Sequence, residues 1–258
     1  MTAARPLLVV GGGKMGGALM AGWISRGIPA AGIFVVEPNL DNASALVRDL
    51  GVTVAAAADD LPPDFLPELV MFAVKPQVMA DVVPAYLPFA GPATVFLSIA
   101  AGTPIALFED CRGEVAAIVR VMPNTPAAVG RGASVACANA RVTDAQQKLC
   151  HDLLTAVGQV HWVEDEDLLH AVTGLSGSGP AYVFHLVECL ARAGREAGLP
   201  TPDTLRRNVT SPGGTTAAGL TVLMGGDPNK DDPAHGPLGD LVTGCVAAAA
   251  KRSRELAE

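Results

Sequence analysis

Short uninterrupted apolar runs alternate with amphipathic stretches along the first 163 residues. Leu7-Leu8-Val9-Val10 reads as a strand, followed by a helix from Met15 to Ser25 that stops before Gly27. Ile33 to Val36 reads as a second strand, and Asn42 to Leu50 as a helix ended by Gly51. Further strands are predicted at Thr53 to Ala56, Leu69 to Val74, Thr94 to Ile99, Val115 to Val121 and Ala133 to Cys137, with helical stretches between them and an edge strand at Gln159 to Val163. Apolar strands without polar alternation imply a sheet covered on both faces, mostly parallel at first. After Glu164 the strand pattern ceases. Ala181 to Ala197 reads as a helix opened by Pro180 and closed by Gly198, with further helices at Thr215 to Leu223 and Leu238 to Leu256. The pattern therefore predicts an α/β domain over residues 1–164 and an all-helical domain over 165–258, with an exposed loop from Gly225 to Gly236.

Charge narrows the possible partners. Eighteen Lys and Arg stand against 26 Asp and Glu, a net charge of −8, with no basic block to neutralise a phosphate backbone, so a nucleic-acid partner is not expected. Three uncharged stretches, Val82 to Phe108, Leu168 to Val187 and Asn208 to Gly226, are broken by prolines, glycines or histidines into pieces too short to span a bilayer. Lys14 and three glycines occupy the place of a signal peptide's apolar core, so the expectation is a soluble, cytoplasmic protein without a membrane partner. Cys111, Cys137, Cys150, Cys189 and Cys245 are odd in number and contain no C-x-x-C pair, which predicts free thiols rather than a disulfide framework or a metal site.

Candidate chemistry begins at Gly11-Gly12-Gly13-Lys14-Met15-Gly16, a G-x-G-x-x-G run between a strand and a helix. In that context glycines let the backbone approach a pyrophosphate at the helix N-terminus, the mark of a Rossmann-type dinucleotide site. Glu37 ends the second strand where a ribose contact is expected, and Asn39 follows two residues later. A carboxylate there accepts from ribose hydroxyls and repels a 2′-phosphate, favouring NADH, while Asn39 can donate to either group. Lys75, in Ala73-Val74-Lys75-Pro76, stands at the carboxyl end of the fourth strand, where α/β sheets bind ligands. Ser98-Ile99-Ala100-Ala101-Gly102 offers small side chains beside a nicotinamide, and Met122-Pro123-Asn124-Thr125-Pro126 makes a polar turn at the same edge.

In Thr210-Ser211-Pro212-Gly213-Gly214-Thr215-Thr216, Ser211 is placed to cap a helix whose bare N–H groups suit a small carboxylate. The five histidines are scattered, and no Ser/His/acid, H-x-x-H or Walker pattern occurs. A dinucleotide site paired with a carboxylate site, and no strong acid–base pair, suggests hydride transfer to an already activated acceptor such as a protonated imine.

These motifs, together with Ala171-Val172-Thr173-Gly174-Leu175-Ser176-Gly177-Ser178-Gly179-Pro180-Ala181-Tyr182, resemble those of pyrroline-5-carboxylate reductases over nearly the whole chain. The resemblance implies reduction of 1-pyrroline-5-carboxylate to L-proline with NADPH or NADH, the last step of proline biosynthesis. It also implies a homodimer, or a larger assembly of dimers, whose helical domains interlock around the substrate. By position, Val74, Lys75 and Ala101 would line the cofactor, and N–H groups near Gly214 and Thr215 would hold the substrate carboxylate. Thr216 would hydrogen-bond the ring nitrogen, with Glu166 and Asn208 nearby. Two features depart from the family pattern. His170 replaces a usual aspartate, and the connection from Pro200 to Leu205 is too short for a long helix that the family carries there. The alternatives are a nucleotide-binding dimer module without turnover, which the missing helix motivates, and a hydroxy-acid dehydrogenase. The second would need a general acid/base, for which Lys75 is the one strand-end candidate.

Overall fold

The computed structural model describes residues 5–112, 116–198, 202–208, 210, 215–225, 237 and 240. In chain order its elements are β1 (Leu7–Val10), α1 (Lys14–Ser25), β2 (Ile33–Val36), α2 (Leu40–Leu50), β3 (Thr53–Ala55), β4 (Leu69–Phe72), α3 (Met79–Val82), β5 (Val95–Ser98) and α4 (Ile105–Arg112). There follow β6 (Ala117–Met122), β7 (Gly132–Ala138), α5 (Asp144–Thr155), β8 (Gly158–Val163), α6 (Leu168–Val172), a π-helical turn at Thr173–Gly177, α7 (Gly179–Glu196), α8 (Pro202–Asn208) and α9 (Thr215–Met224). The predicted strands are all present. The helix expected over 238–256 lies, apart from Asp240, outside the described residues, as does the expected loop beyond Gly225.

Eight strands form one sheet in the order β3-β2-β1-β4-β5-β6-β7-β8. Every pairing is parallel except β6 with β7. Side chains of a strand alternate between faces, so an all-apolar strand needs cover on both. Leu7, Val9, Leu69 and Met71 join Leu19, Trp23, Leu153 and Leu154 in one buried layer. Leu8, Val10, Val70 and Phe72 join Met79, Tyr86, Phe96 and Phe108 in the other. Phe72 sits at the centre of the second layer, with edge-on contacts to Tyr86, Phe96 and Phe108 at ring centroid distances of 5.3–5.7 Å. Trp23 locks α1 to α5 by donating its indole N–H to the Leu153 carbonyl at 2.9 Å.

The chain divides into two compact units, Met1–Tyr182 and Val183–Glu258. Among the described residues no strand follows Val163, and the first unit extends to Tyr182 where the division was expected at residue 164. The reason is local: Leu169 of α6 is fully buried in the second apolar layer. The second unit contains most of α7, whose residues are nowhere buried, together with α8 and α9. No helix among the described residues is long and apolar enough to cross a membrane. Cys137 and Cys150 are buried free thiols, and Cys189 is a partly exposed one.

Candidate dinucleotide and substrate site

Strand order reverses between β1 and β4, which lie side by side with crossovers leaving in opposite directions. Such a switch point opens a crevice outside the carboxyl ends of the strands. Here the glycine turn fills that place. Gly11 adopts φ +95°, a conformation in which an L side chain is strained, and its N–H donates to the Val36 carbonyl at 2.9 Å. A Cβ on Gly16 would lie 2.7 Å from the Gly11 carbonyl oxygen, so the turn closes only with glycine at this position. Gly13 is the N-cap of α1 and supplies no side-chain cap; open space surrounds the position its Cβ would take, and the first turn carries no acidic residue. Uncapped N–H groups at the positive end of a 12-residue helix, with room in front of them, fit a dinucleotide's pyrophosphate.

A cavity of about 590 Å³ lies against this turn, lined by Gly11, Gly13, Glu37, Val74 and Lys75 among others. Five residues expected at the cofactor thus share one cavity. Lys14 and Met15 stand beside it on α1, Gly16 is packed beneath the turn, Asn39 caps α2, and Ala101 lies exposed on the loop after β5; none of these five lines its wall. Sequence reasoning missed Asp81 and Tyr86, which also line the cavity, from the segment after β4. Only the apolar spacing of Met79, Val83 and Tyr86 hinted that this segment folds back on the sheet. Burial pushes the Tyr86 phenol up to about 12.

Glu37 is 8% exposed and holds the turn together. Its Oε2 accepts the Gly12 N–H and its Oε1 the Asn39 N–H, both at 2.9 Å. Asn39 in turn caps α2 by accepting the Asn42 N–H at 3.0 Å.

Glu166, expected near the substrate, is held by two hydrogen bonds within the first unit. Its Oε1 accepts from Arg120 Nη1 at 2.6 Å and from the Ile105 N–H, in the first turn of α4, at 2.9 Å. The Arg120 side chain is 5% exposed and that of Glu166 27%. One carboxylate thereby joins β6, α4 and the segment leading into α6. Cys137 faces Arg120 across β6 and β7, and burial, reinforced by the Glu166 charge, pushes its thiol up. Asn124 makes a second tie, accepting the Ala133 N–H at 2.8 Å and donating to the Ser176 carbonyl at 3.2 Å in the π-helical turn. There the Ser178 N–H reaches back five residues to the Thr173 carbonyl at 2.9 Å. His170 is exposed on α6.

Among the expected substrate residues, Thr216 is exposed in the first turn of α9 and Asn208 is exposed at the end of α8. Thr215 begins α9, while Ser211 and Gly214 lie outside the described residues.

Comparison with known proteins decides the family. Residues 7–102 match the family model described as NADP oxidoreductase coenzyme F420-dependent. Residues 166–203 match the one described as pyrroline-5-carboxylate reductase dimerisation. The pyrroline-5-carboxylate reductase of Pseudomonas aeruginosa is 36% identical, with 96% of each chain covered. The chain belongs to the pyrroline-5-carboxylate reductase family. Two solved structures agree: the Coxiella burnetii reductase, at TM-score 0.69 and 30% identity over 98% of this chain and 99% of that one, and the Plasmodium falciparum reductase with NADP bound, at 0.66 and 27% over 86% and 90%. The chain is accordingly an NAD(P)H-dependent oxidoreductase of this family, with a Rossmann-type domain carrying the cofactor site. The Pseudomonas match runs over 273 positions, more than the 258 residues present, so that relative has positions without a counterpart here. The dimerisation match ends at residue 203, in the first turn of α8.

Proposed function

We propose that this chain reduces 1-pyrroline-5-carboxylate to L-proline as the last step of proline biosynthesis, working as a cytoplasmic homodimer. The observation that carries the reading is the 36% identity to a pyrroline-5-carboxylate reductase across 96% of both chains. When bound, the reduced nicotinamide supplies a hydride to the imine carbon. The chain's own task is to hold the reactants and exclude alternatives. The glycine turn and the uncapped N-terminus of α1 receive the pyrophosphate, and Val74 and Lys75 line the cavity beside it. The imine of the substrate is protonated before reduction, so the chain need supply no strong acid. A hydroxyl that accepts from the iminium N–H orients the ring and remains bonded to the amine formed, and Thr216 is assigned that part. Ser211, Gly214 and Thr215 are assigned the substrate carboxylate, and Glu166 and Asn208 the surroundings.

The dimer is supported by the dimerisation match and by the apolar, exposed face of α7. The test is oxidation of NADH and of NADPH by the purified protein with 1-pyrroline-5-carboxylate. Proline formed in step with cofactor consumed supports the reading. Cofactor binding without turnover would favour a nucleotide-binding module instead, and oxidation of a hydroxy acid alone a dehydrogenase.

A further inference from the structure

The proposed function leaves open which nicotinamide dinucleotide is used, and the surroundings of Glu37 bear on that choice. A carboxylate offers about four lone-pair sites. Two of those on Glu37 are occupied by the Gly12 and Asn39 N–H groups, one on each oxygen. Two remain, a match for the two hydroxyls of an unmodified ribose. The same two bonds fix the charge in place, because turning the side chain away would strip two backbone N–H groups of their acceptor.

Glu37 and Ala56 are shared by the 590 Å³ cavity and by an adjoining one of about 530 Å³ over α2 and β3. The first cavity adds the carboxylate of Asp81 and the ammonium of Lys75. The residues after Glu37 supply no cation: Pro38, Asn39 and Leu40 lead into Asp41 in the first turn of α2. Arg48 lines the second cavity, but its guanidinium bonds Asp49 at 2.8 and 3.1 Å. A phosphate monoester carries about −1.5 to −2 charge at neutral pH. Against a carboxylate held by two backbone N–H groups that charge is repelled, whereas a ribose diol is accepted.

We propose that the chain selects NADH over NADPH, with Glu37 as the residue that discriminates. It would then differ from the Plasmodium falciparum relative, which was solved with NADP bound. The inference rests on the reading of the glycine turn and its cavity as the dinucleotide site.

Calorimetric titration of the purified protein with NADH and with NADPH tests it without requiring turnover. NADH is expected to bind at least tenfold more tightly, and the ratio to shrink as salt is raised, since screening weakens the repulsion. Glu37→Gln keeps an acceptor but loses the charge, and should bring the ratio close to one. The salt series on the unaltered protein carries the same information if that variant does not fold. Equal or tighter binding of NADPH, a ratio indifferent to salt, or failure to bind either nucleotide would overturn the proposal. A clear NADH preference without reduction of 1-pyrroline-5-carboxylate would sink the proposed activity and leave the cofactor assignment standing.

Discussion

Strand β1 and helix α7 are both rich in apolar residues, yet they end in opposite states. Leu7 to Val10 are at most 2% exposed, whereas Val183, Leu186, Val187 and Leu190 are 57–63% exposed. Spacing explains the difference. The four strand residues point alternately into two layers that the same chain supplies. The four helical residues recur at intervals of three, four and seven and make one exposed stripe, which no described residue of this unit covers. The α/β unit thus completes its own core, and the helical unit presents a surface of the kind that a second copy buries.

The most damaging change should strike that stripe. Leu186→Glu combined with Leu190→Glu places four carboxylates where the proposed dimer would bury four leucines. At about 1.5–3 kcal/mol per buried leucine, the loss amounts to a weakening of at least about a thousandfold. Light scattering should report the 26.3 kDa of a single chain in place of twice that mass. Unfolding of the α/β unit should be unaffected. A dimer that survives the double change would show that the stripe is not the interface.

Next comes the ion pair that ties the end of the sheet to α6. Glu166→Gln keeps an acceptor for the Ile105 N–H but leaves the guanidinium of Arg120, itself 4% exposed, without its counter-charge. The expected loss is about 3 kcal/mol by denaturant unfolding, since removing one partner of a buried pair leaves the other uncompensated. Replacing both, as Arg120→Met with Glu166→Met, should recover most of it. Equal losses in the single and double variants would mean that the charges are not coupled.

These two sites also mark how far the sequence could be read. The central strands were legible because continuous apolar runs such as Leu7–Val10 and Leu69–Phe72 are buried on both faces, whereas the edge strand β8 showed itself by alternation instead. The glycine turn was legible because its residues are local and their spacing carries the geometry. Arg120 was not, since its partner lies 46 residues away and nothing in a strand sequence announces which carboxylate will meet it. The π-helical turn was hidden for a related reason: Thr173 to Gly177 contains two glycines, and it is Asn124, from a distant turn, that bonds the Ser176 carbonyl. Glu37 was visible as a strand-end acid, but the two bonds that immobilise it appear only when the turn folds around it.

A smaller effect should follow in the helical unit's chemistry. Thr216→Val preserves the shape of an exposed side chain in the first turn of α9 while removing its hydroxyl. A hydrogen bond to a charged group contributes about 1.5–3 kcal/mol, so kcat/KM for 1-pyrroline-5-carboxylate should fall roughly tenfold to a hundredfold. The affinity for NADH alone should be unchanged, because the dinucleotide site belongs to the other unit. Undiminished turnover would remove Thr216 from its assigned role.

The smallest expected effect belongs to the cavity wall of the α/β unit. A phenol ionises near 10 in an unfolded chain, and Tyr86 holds its proton up to about 12. Between those values the unfolded state binds fewer protons than the folded one, so stability falls as pH rises through this window, by at most about 1.4 kcal/mol per pH unit. Below pH 10 the contribution is intact. Cys137 and Cys150, whose thiols burial also pushes up, add a decline that begins at lower pH. The informative quantity is therefore the difference between the unaltered protein and Tyr86→Phe, which keeps the ring beside Phe72 and cannot ionise. Denaturant midpoints of the two should run in parallel up to pH 10 and separate above it, the variant declining less. Parallel curves throughout would mean that the phenol reaches solvent freely, and that this wall of the cavity is as open as the stripe on α7.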